Sequence, residues 1–269
     1  LNKIENSAFY KCKKLQFFEI PENSNLQTIE GLVFFNTSIQ ELTIPSSVID
    51  LKDGCFACTP MLTKINISPN NRKYKLLDNK IIIGKSSIEQ NNFDILLFCF
   101  KDAKKIEIPD SIETIHSYAF QNCKELKHVK MSRNSKLRII GKQSFDHNPI
   151  EKISFPSTLT HIDYEAFGNC LNLQFVDFPP DSQLQIIESY AFKNAPIKSL
   201  SLPQYVRKIK NDAFYGCDDF QIFEINDNSE LSDYSLQNLP IKNTKIIMIS
   251  RNVSDHLINA FINIDIRFL

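Results

Sequence analysis

The amino-acid sequence predicts a solenoid of stacked repeats that is mainly β in structure. Residues 159–179, LTHIDYEAFGNCLNLQFVDFP, have a skeleton of apolar positions that returns along the chain. The same order recurs around Phe120 and again around Phe214. A unit this short cannot bury its apolar face alone, so it must stack on neighbours that carry the same face. The repeats therefore predict one elongated domain rather than several globular ones.

A phenylalanine marks the register of each repeat. These residues are Phe9, Phe35, Phe56, Phe120, Phe145, Phe167, Phe192 and Phe214, with Leu236 in the same place later. After Phe120 the steps are 25, 22, 25, 22 and 22 residues, and the whole chain holds about ten repeats. Two types alternate: one has Asn-Cys after the phenylalanine, and the other has a proline turn, as at Pro149. Proline rigidifies the start of the strand that follows.

The second half of each repeat predicts a strand. Apolar and polar residues alternate in residues 150–155 and 197–202, which is the period of a strand with one buried face. Proline or serine follows each strand, and proline cannot donate to a sheet ladder, so pairing should stop there. Residues 117–122 and 188–194 have Ala-Phe at their centre, and we expect each to form one helical turn whose phenylalanine fills the interior.

The pattern L-x-x-I-x-x-x-A-F-x-N-C-x-x-L-x-x-V-x-F-P resembles the leucine-rich repeat of the BspA-like family, also called the Treponema pallidum type. The resemblance covers most of the chain. It implies a leucine-rich-repeat solenoid in which each repeat gives one strand to a parallel concave sheet. The A-F-x-N-C part would turn the chain on the convex side. Members of this family act mostly by binding.

The domain organisation predicted is a single leucine-rich-repeat domain over residues 1–269. Regular repeats occupy 1–68 and 104–240, an irregular unit 69–103, and a degenerate repeat or cap 241–269. Within the irregular unit, Asp78-Asn79 lies between two apolar runs and predicts a hairpin, because Asn tolerates the positive φ of its turn. Similar irregular units occur in BspA-like proteins. Residues 246–249 and 262–266 predict further strands.

Charge and hydropathy exclude two classes of partner. The chain has 31 basic and 31 acidic residues and no Lys/Arg-rich run, so no long-range field favours nucleic acid. The longest wholly apolar run, residues 95–100, is far shorter than a spanning helix, and we expect no membrane insertion. Leu1 falls inside a repeat, so we expect a fragment or a processed chain.

The cysteines follow the repeat and predict neither disulfides nor a metal site. Cys12, Cys123, Cys170 and Cys217 each lie three residues after a repeat phenylalanine, and the last three are spaced by two repeats. That spacing puts them about 10 Å apart, whereas a disulfide needs Cα atoms within about 7 Å. We interpret them as small buried apolar groups. Cys55 and Cys58 form a C-x-x-C without a second ligand pair, so no zinc is expected.

No catalytic or cofactor motif is present in the sequence. The five histidines, His116, His128, His147, His161 and His256, fall at unrelated repeat positions. With only six glycines, there is neither a nucleophile elbow nor a phosphate-binding loop. We predict a protein that is not an enzyme and needs no cofactor.

Two functions of different class remain open. The resemblance implies a monomeric cell-surface or secreted adhesin that binds host proteins, matrix or other cells. The abundance of Lys, Asn and Ile is typical of an AT-rich genome and, with the family's expansion in protists, favours a parasite surface protein. The alternative is an intracellular, cytoplasmic scaffold, favoured by the free thiols and by the lack of a signal or anchor segment. Sugars on the sequons at Asn36, Asn66 and Asn252 would favour the first function.

We expect a ligand to meet the outward positions of the concave sheet. Successive strands should align these positions in columns about 4.8 Å apart. One column contains Lys105, His128, Lys152 and Phe175, and the next contains Glu107, Lys130, Ser154 and Asp177. Outward aromatic residues on a polar face are typical interface anchors. The candidate ligand-binding residues are thus Phe17, Lys105, His128, Lys130, Lys152 and Phe175; the alternatives are a solvated sheet face or binding at residues 69–100.

Overall fold

The computed structural model describes residues 1–225 together with the strands Ile246–Ile249 and Ile266–Phe268. The chain forms a β-solenoid of about ten turns with parallel strands, as the repeats predict. Each regular turn contributes a short strand, a turn that contains the repeat phenylalanine, and a longer strand. Leu236, the proline turn at Pro240 and the sequon at Asn252 lie outside the described residues.

The short strands have two residues each and pair in parallel with the strands of neighbouring repeats. They are β1 (Lys3–Ile4), β2 (Thr28–Ile29), β4 (Asp50–Leu51), β10 (Thr114–Ile115), β12 (Ile139–Ile140), β14 (His161–Ile162), β16 (Ile186–Ile187) and β18 (Lys208–Ile209). The first three form one sheet, and the others belong to an eight-stranded sheet. The second residue of each strand is buried, and the register places Ile115 beside Ile140 and Ile140 beside Ile162.

The longer strands also run parallel, and we call their outer side the long-strand face. They are β3 (Glu41–Ile44), β5 (Lys64–Ile67), β9 (Lys105–Glu107), β11 (His128–Lys130), β13 (Lys152–Ser154), β15 (Phe175–Asp177), β17 (Ser199–Leu202), β19 (Ile222–Ile225), β20 (Ile246–Ile249) and β21 (Ile266–Phe268). Ladders join β3 to β5, β9 to β11, and the series from β13 to β21. The strand predicted at 246–249 is confirmed, and β21 begins where the one predicted at 262–266 ends.

A stack of phenylalanine rings fills the interior. From Phe120 to Phe214 the five rings are buried and nearly parallel, with centroids 4.6, 5.0, 5.5 and 5.5 Å apart. Phe9, Phe34 and Phe56 form a second stack with spacings of 5.7 and 6.1 Å. Assigning Phe35 to this series is wrong: its neighbour Phe34 is buried, whereas Phe35 is half-buried and stacks on Tyr10.

The turns around these rings are not helical, so the prediction of helical turns is wrong for the described repeats. Within residues 117–122, Tyr118 and Asn122 have φ angles of 66° and 58°, which a right-handed helix excludes. The N–H groups of Tyr118, Phe120 and Asn122 instead donate to carbonyl oxygens of the next repeat at 2.9, 2.7 and 2.9 Å. Residues 188–194 have the same form, with φ angles of 59° at Tyr190 and Asn194. Backbone hydrogen bonds thus run from repeat to repeat here too.

The hairpin predicted at Asp78-Asn79 is confirmed. Strands β6 (Tyr74–Leu77) and β7 (Ile81–Gly84) pair antiparallel. The Lys80 N–H donates to the Leu77 carbonyl at 2.9 Å, and Asp78 and Asn79 have φ angles of 51° and 52°. Positive φ values at both central residues of this turn are typical of type I′. The next strand, β8 (Ile95–Cys99), pairs antiparallel with β7 and parallel with β10, so it returns the chain to the solenoid direction.

The hairpin unit separates two hydrophobic cores. Ile82 and Phe98 pack into the core of the first block, which we define as β1 to β5, and Ile81, Ile83 and Leu96 pack into that of the second block, β9 to β19. All four residues of β7 are buried, because each face of this strand covers a different core. The irregular unit is therefore a partition that both blocks need.

The Tyr74 hydroxyl pairs with backbone groups at the edge of the first block's short-strand sheet. Its hydroxyl accepts the Leu51 N–H at 2.7 Å and donates to the Ile49 carbonyl at 3.3 Å. Leu51 lies in β4, the last short strand before the hairpin, so the hydroxyl takes the place of a further strand. Tyr74 is buried, and this burial raises the pKa of its hydroxyl.

Replacing Tyr74 with Phe should lower the free energy of unfolding by about 1–3 kcal/mol, because a buried N–H is left without its partner. The measurement is urea denaturation, with a lower midpoint and an unchanged slope. Tyr205→Phe is the control, since Tyr205 is exposed. Equal midpoints for Tyr74→Phe and the wild type would contradict the role of the hydroxyl.

Phe167→Ala should destabilise the protein by about 3–5 kcal/mol, because the ring lies fully buried between two others and its removal leaves a cavity. Thermal and urea denaturation would measure the loss. Phe17→Ala removes a ring that is 70% exposed and should change stability little. A similar small effect for Phe167→Ala would show that the stack does not support the fold.

Candidate functional site

Five of the six candidate residues lie together on four neighbouring strands of the long-strand face. Lys105 is in register with His128, and Lys152 with Phe175. Lys130 lies on the same strand as His128, two residues further on. The sixth candidate, Phe17, is in the first block, where a single bridge joins it to Glu41. The structure therefore does not bring Phe17 to the others.

The two aromatic candidates are exposed despite their size. Phe175 is 45% exposed and Phe17 is 70% exposed. The ammonium group of Lys198 lies 5.8 Å from the centre of the Phe175 ring, a cation–π distance. The sequence gives no signal for Lys198, because this contact depends on where the next repeat places its side chain. Phe175 thus presents an apolar surface with a cation over it.

A seam runs through the long-strand face between β11 and β13. The two strands contact each other but share no ladder. The proline turn before β13 is one residue shorter than an Asn-Cys turn: His147 precedes Ile150 by three residues, whereas Asn122 precedes Leu126 by four. The other short turn has a similar effect, since β15 and β17 share one residue pair and β17 and β19 share four. The alternation of longer and shorter turns therefore affects how fully neighbouring long strands pair on this face.

The seam opens into a depression of about 600 Å³. Four of the predicted residues line it, so the candidate residues and the seam coincide. The lining also includes side chains from the strand centres and ends, and the full set is Lys105, His128, Val129, Lys130, Met131, Lys152 and Ser154.

The charges around the depression are only partly balanced. Lys130 pairs with Glu107 at 2.8 Å and Lys152 with Asp177 at 2.7 Å, and all four side chains are more than half exposed. Such exposed pairs contribute little stability and exchange readily. Within residues 1–225, no ion pair is found for Lys105. No carboxylate is among the lining residues, but Glu107 and Asp177 neutralise Lys130 and Lys152 from outside it, which leaves the charge of Lys105 unbalanced.

A Ser–Asp–His cluster lies elsewhere, at the junction of the two blocks. Ser117 donates its hydroxyl to Asp53 at 2.6 Å, and His116 Nδ1 lies 2.7 Å from the other carboxylate oxygen. Burial alone would raise the pKa of Asp53, but His116 and Ser117 outweigh it and hold that pKa below its ordinary value. The Ser117 hydroxyl donates to the carboxylate, so the imidazole does not accept the serine proton as nucleophilic catalysis requires. The cluster ties the blocks together.

The cysteine column caps backbone carbonyls. Cys170 and Cys217 donate to the carbonyls of Phe145 and Phe192, one repeat earlier, at 3.1 and 3.0 Å. Burial raises the pKa of each thiol to about 12, so both are unreactive. Including Cys12 in the buried column is wrong, because Cys12 is exposed and no earlier described repeat covers it. In the described part of the chain, no three His, Cys, Asp or Glu residues are grouped to hold a metal.

The sequence profile of the BspA type leucine-rich repeat region matches residues 1–95, 86–218 and 138–267, with six copies. The chain belongs to the BspA-type leucine-rich repeat family. A search of curated protein sequences found no match. No helix of the described BspA-type repeats is long and apolar enough to cross a membrane.

Several solved structures share this solenoid fold. The pneumococcal vaccine antigen PcpA aligns with a TM-score of 0.70 and 20% identity over 100% of this chain and 66% of PcpA. A leucine-rich repeat protein from Eubacterium ventriosum gives 0.68 and 20%, over 93% of this chain and 73% of its own. A leucine-rich cell surface protein from Faecalibacterium prausnitzii gives 0.62 and 21%, over 94% and 64%. At these identities the likeness shows the fold alone, and the chain spans about two thirds of PcpA.

Asp53→Asn should lower the melting temperature at pH 7 but not in acid. Because the pKa of Asp53 is lower in the folded protein than in the unfolded chain, its contribution is present at neutral pH and lost as pH falls through the folded value. The difference from the wild type should therefore shrink below about pH 4. Thermal denaturation between pH 7 and 2.5 measures it.

The control is Asp50→Asn, which breaks an exposed pair with Lys52 and should have a small effect throughout. If Asp53→Asn lowers the melting temperature by the same amount at pH 2.5 as at pH 7, the carboxylate charge is not what joins the blocks.

Proposed function

We propose that this BspA-type protein is a non-enzymatic adhesin, at the cell surface or secreted, that binds a protein partner through the long-strand face. The observation that carries the proposal is an exposed column in two halves: Lys105 is in register with His128 on β9 and β11, and Lys152 with Phe175 on β13 and β15. Parallel register makes this column continuous except at the seam, so a partner can contact four repeats at once.

The composition of the column suits a protein interface. Interfaces concentrate their binding energy in a few aromatic and cationic residues surrounded by a polar rim. Phe175 supplies an exposed ring, and the pairs Lys130–Glu107 and Lys152–Asp177 supply a rim of charges. Because these pairs are exposed, a partner's charged groups can replace either member at small cost.

A surface location is supported by the structural relatives. One is described as a vaccine antigen and another as a cell surface protein. The sequon at Asn66 is exposed on β5, and that at Asn36 is half-buried in a turn with a φ of 55°. Asn66 is thus open to glycosylation in a secreted chain.

The combined variant K105E/K152E/F175A should lose its partner while keeping the wild-type melting temperature, because all three side chains are exposed. In the test, the immobilised wild-type protein is chemically cross-linked to proteins in host-cell surface extracts. The capture is then repeated with the variant in place of the wild type. The matched control K124E/K142E/Y215A reverses two lysine charges and removes one exposed aromatic ring on the opposite turns. It should retain the captured proteins. Undiminished capture by K105E/K152E/F175A would place the binding surface elsewhere.

A further inference from the structure

We propose that the depression at the seam between β11 and β13 is a docking site for an acidic peptide segment of the partner. The segment would carry two or three carboxylates beside one aromatic or large aliphatic side chain. This inference rests on the proposed function and names the chemistry of what that function binds.

The cationic groups converge on the depression from three successive long strands. Lys105 on β9 is in register with the first residue of β11, and Lys152 lies on β13, across the seam. Lys130 lies two residues along β11 and faces the same depression. The carboxylates of Glu107 and Asp177, which pair with Lys130 and Lys152, are outside its lining. Among residues 1–225 no ion pair is found for Lys105, so an incoming carboxylate can pair with it directly, whereas at Lys130 and Lys152 it would compete with Glu107 and Asp177.

Two exposed lysines extend the positive region. Lys104 and Lys127 lie immediately before β9 and β11 and are exposed. Their backbones are joined, because the Lys127 N–H donates to the Lys104 carbonyl at 3.1 Å. The described residues show no ion pair for either side chain. The charges of these two lysines add to the positive electrostatic potential that would attract an acidic segment.

The extent of the positive region favours a peptide over a long polyanion. The chain as a whole carries 31 basic and 31 acidic residues, so no wider field exists. Exposed Glu107, Glu151 and Asp177 lie on the same strands or next to them. A sulfated glycan or nucleic acid running across the face would meet these carboxylates. A segment of a few residues would contact fewer of them.

The apolar side chain of the segment would contact the ring of Phe175. This ring is in register with Lys152, one strand beyond the depression. Half-buried Val129 and Met131 provide apolar floor within it. A large apolar side chain next to an acidic one would therefore contact Phe175 while its neighbour meets Lys152.

The test is selection of random 12-residue peptides displayed on phage against the wild-type protein. Selected sequences should be rich in Asp and Glu and contain an aromatic or large aliphatic residue. Their synthetic forms should bind K105E/K152E at least about tenfold more weakly and F175A about fivefold more weakly. The matched control K64E/K208E reverses two exposed lysines outside the depression, one of them at the outward first position of the long strand β5, and should bind as the wild type does.

Three results would overturn the inference. Selection could yield no binding sequences, or sequences without enrichment in acids, or acidic peptides that bind K64E/K208E as weakly as K105E/K152E. Binding of heparin, lost in K105E/K152E, without binding of any acidic peptide would assign the site to polyanions instead. Selected neutral peptides that still depend on Phe175 would leave the proposed face in place and reject only the acidic partner.

Discussion

The structure depends on one constraint: each repeat must hydrogen-bond and stack on the next at the same three places. The short strands, the turns and the long strands all pass backbone hydrogen bonds along the solenoid axis. The ring stack from Phe120 to Phe214 fills the space between them. A ring spacing near 5 Å matches the distance between strands, so the rings and the backbone share one repeat length. No residue can leave this register without exposing its neighbours.

The partition shows what happens where the register is interrupted. Phe98 meets Phe56 edge to face rather than in parallel, and Phe100 in turn meets Phe98 edge to face, so the first ring stack ends here. Backbone pairing between the blocks is replaced by the antiparallel hairpin and by side chains, including Tyr74 and the Asp53 cluster. An exposed strand end would otherwise leave polar groups unpaired and invite association. The hairpin therefore allows a second run of repeats to follow the first.

The candidate site was predictable in part. Alternation within each strand identifies the outward residues, and the repeat length aligns them, so the register of Lys105 with His128 and of Lys152 with Phe175 could be predicted from the sequence. Their role in binding stays a prediction. Phe17 has the same local pattern, but two strands of its block and the partition separate it from the others. The seam could not be predicted from the sequence. A turn that is one residue shorter can change the pairing of the strands beside it, but whether it does so depends on how the two repeats pack together. The contact of Lys198 with Phe175 depends on packing in the same way.

The sequence by itself determined the solenoid, the family, the two alternating repeat types and the hairpin at Asp78. These features follow from periodicity and from local φ preferences, which act over a few residues. Only the tertiary structure decided that the turns are left-handed at Tyr118 and Asn122 rather than helical, because their N–H groups find acceptors on the next repeat. It also decided that Phe34, not Phe35, joins the stack, since both rings fit the local pattern and only one can lie inside.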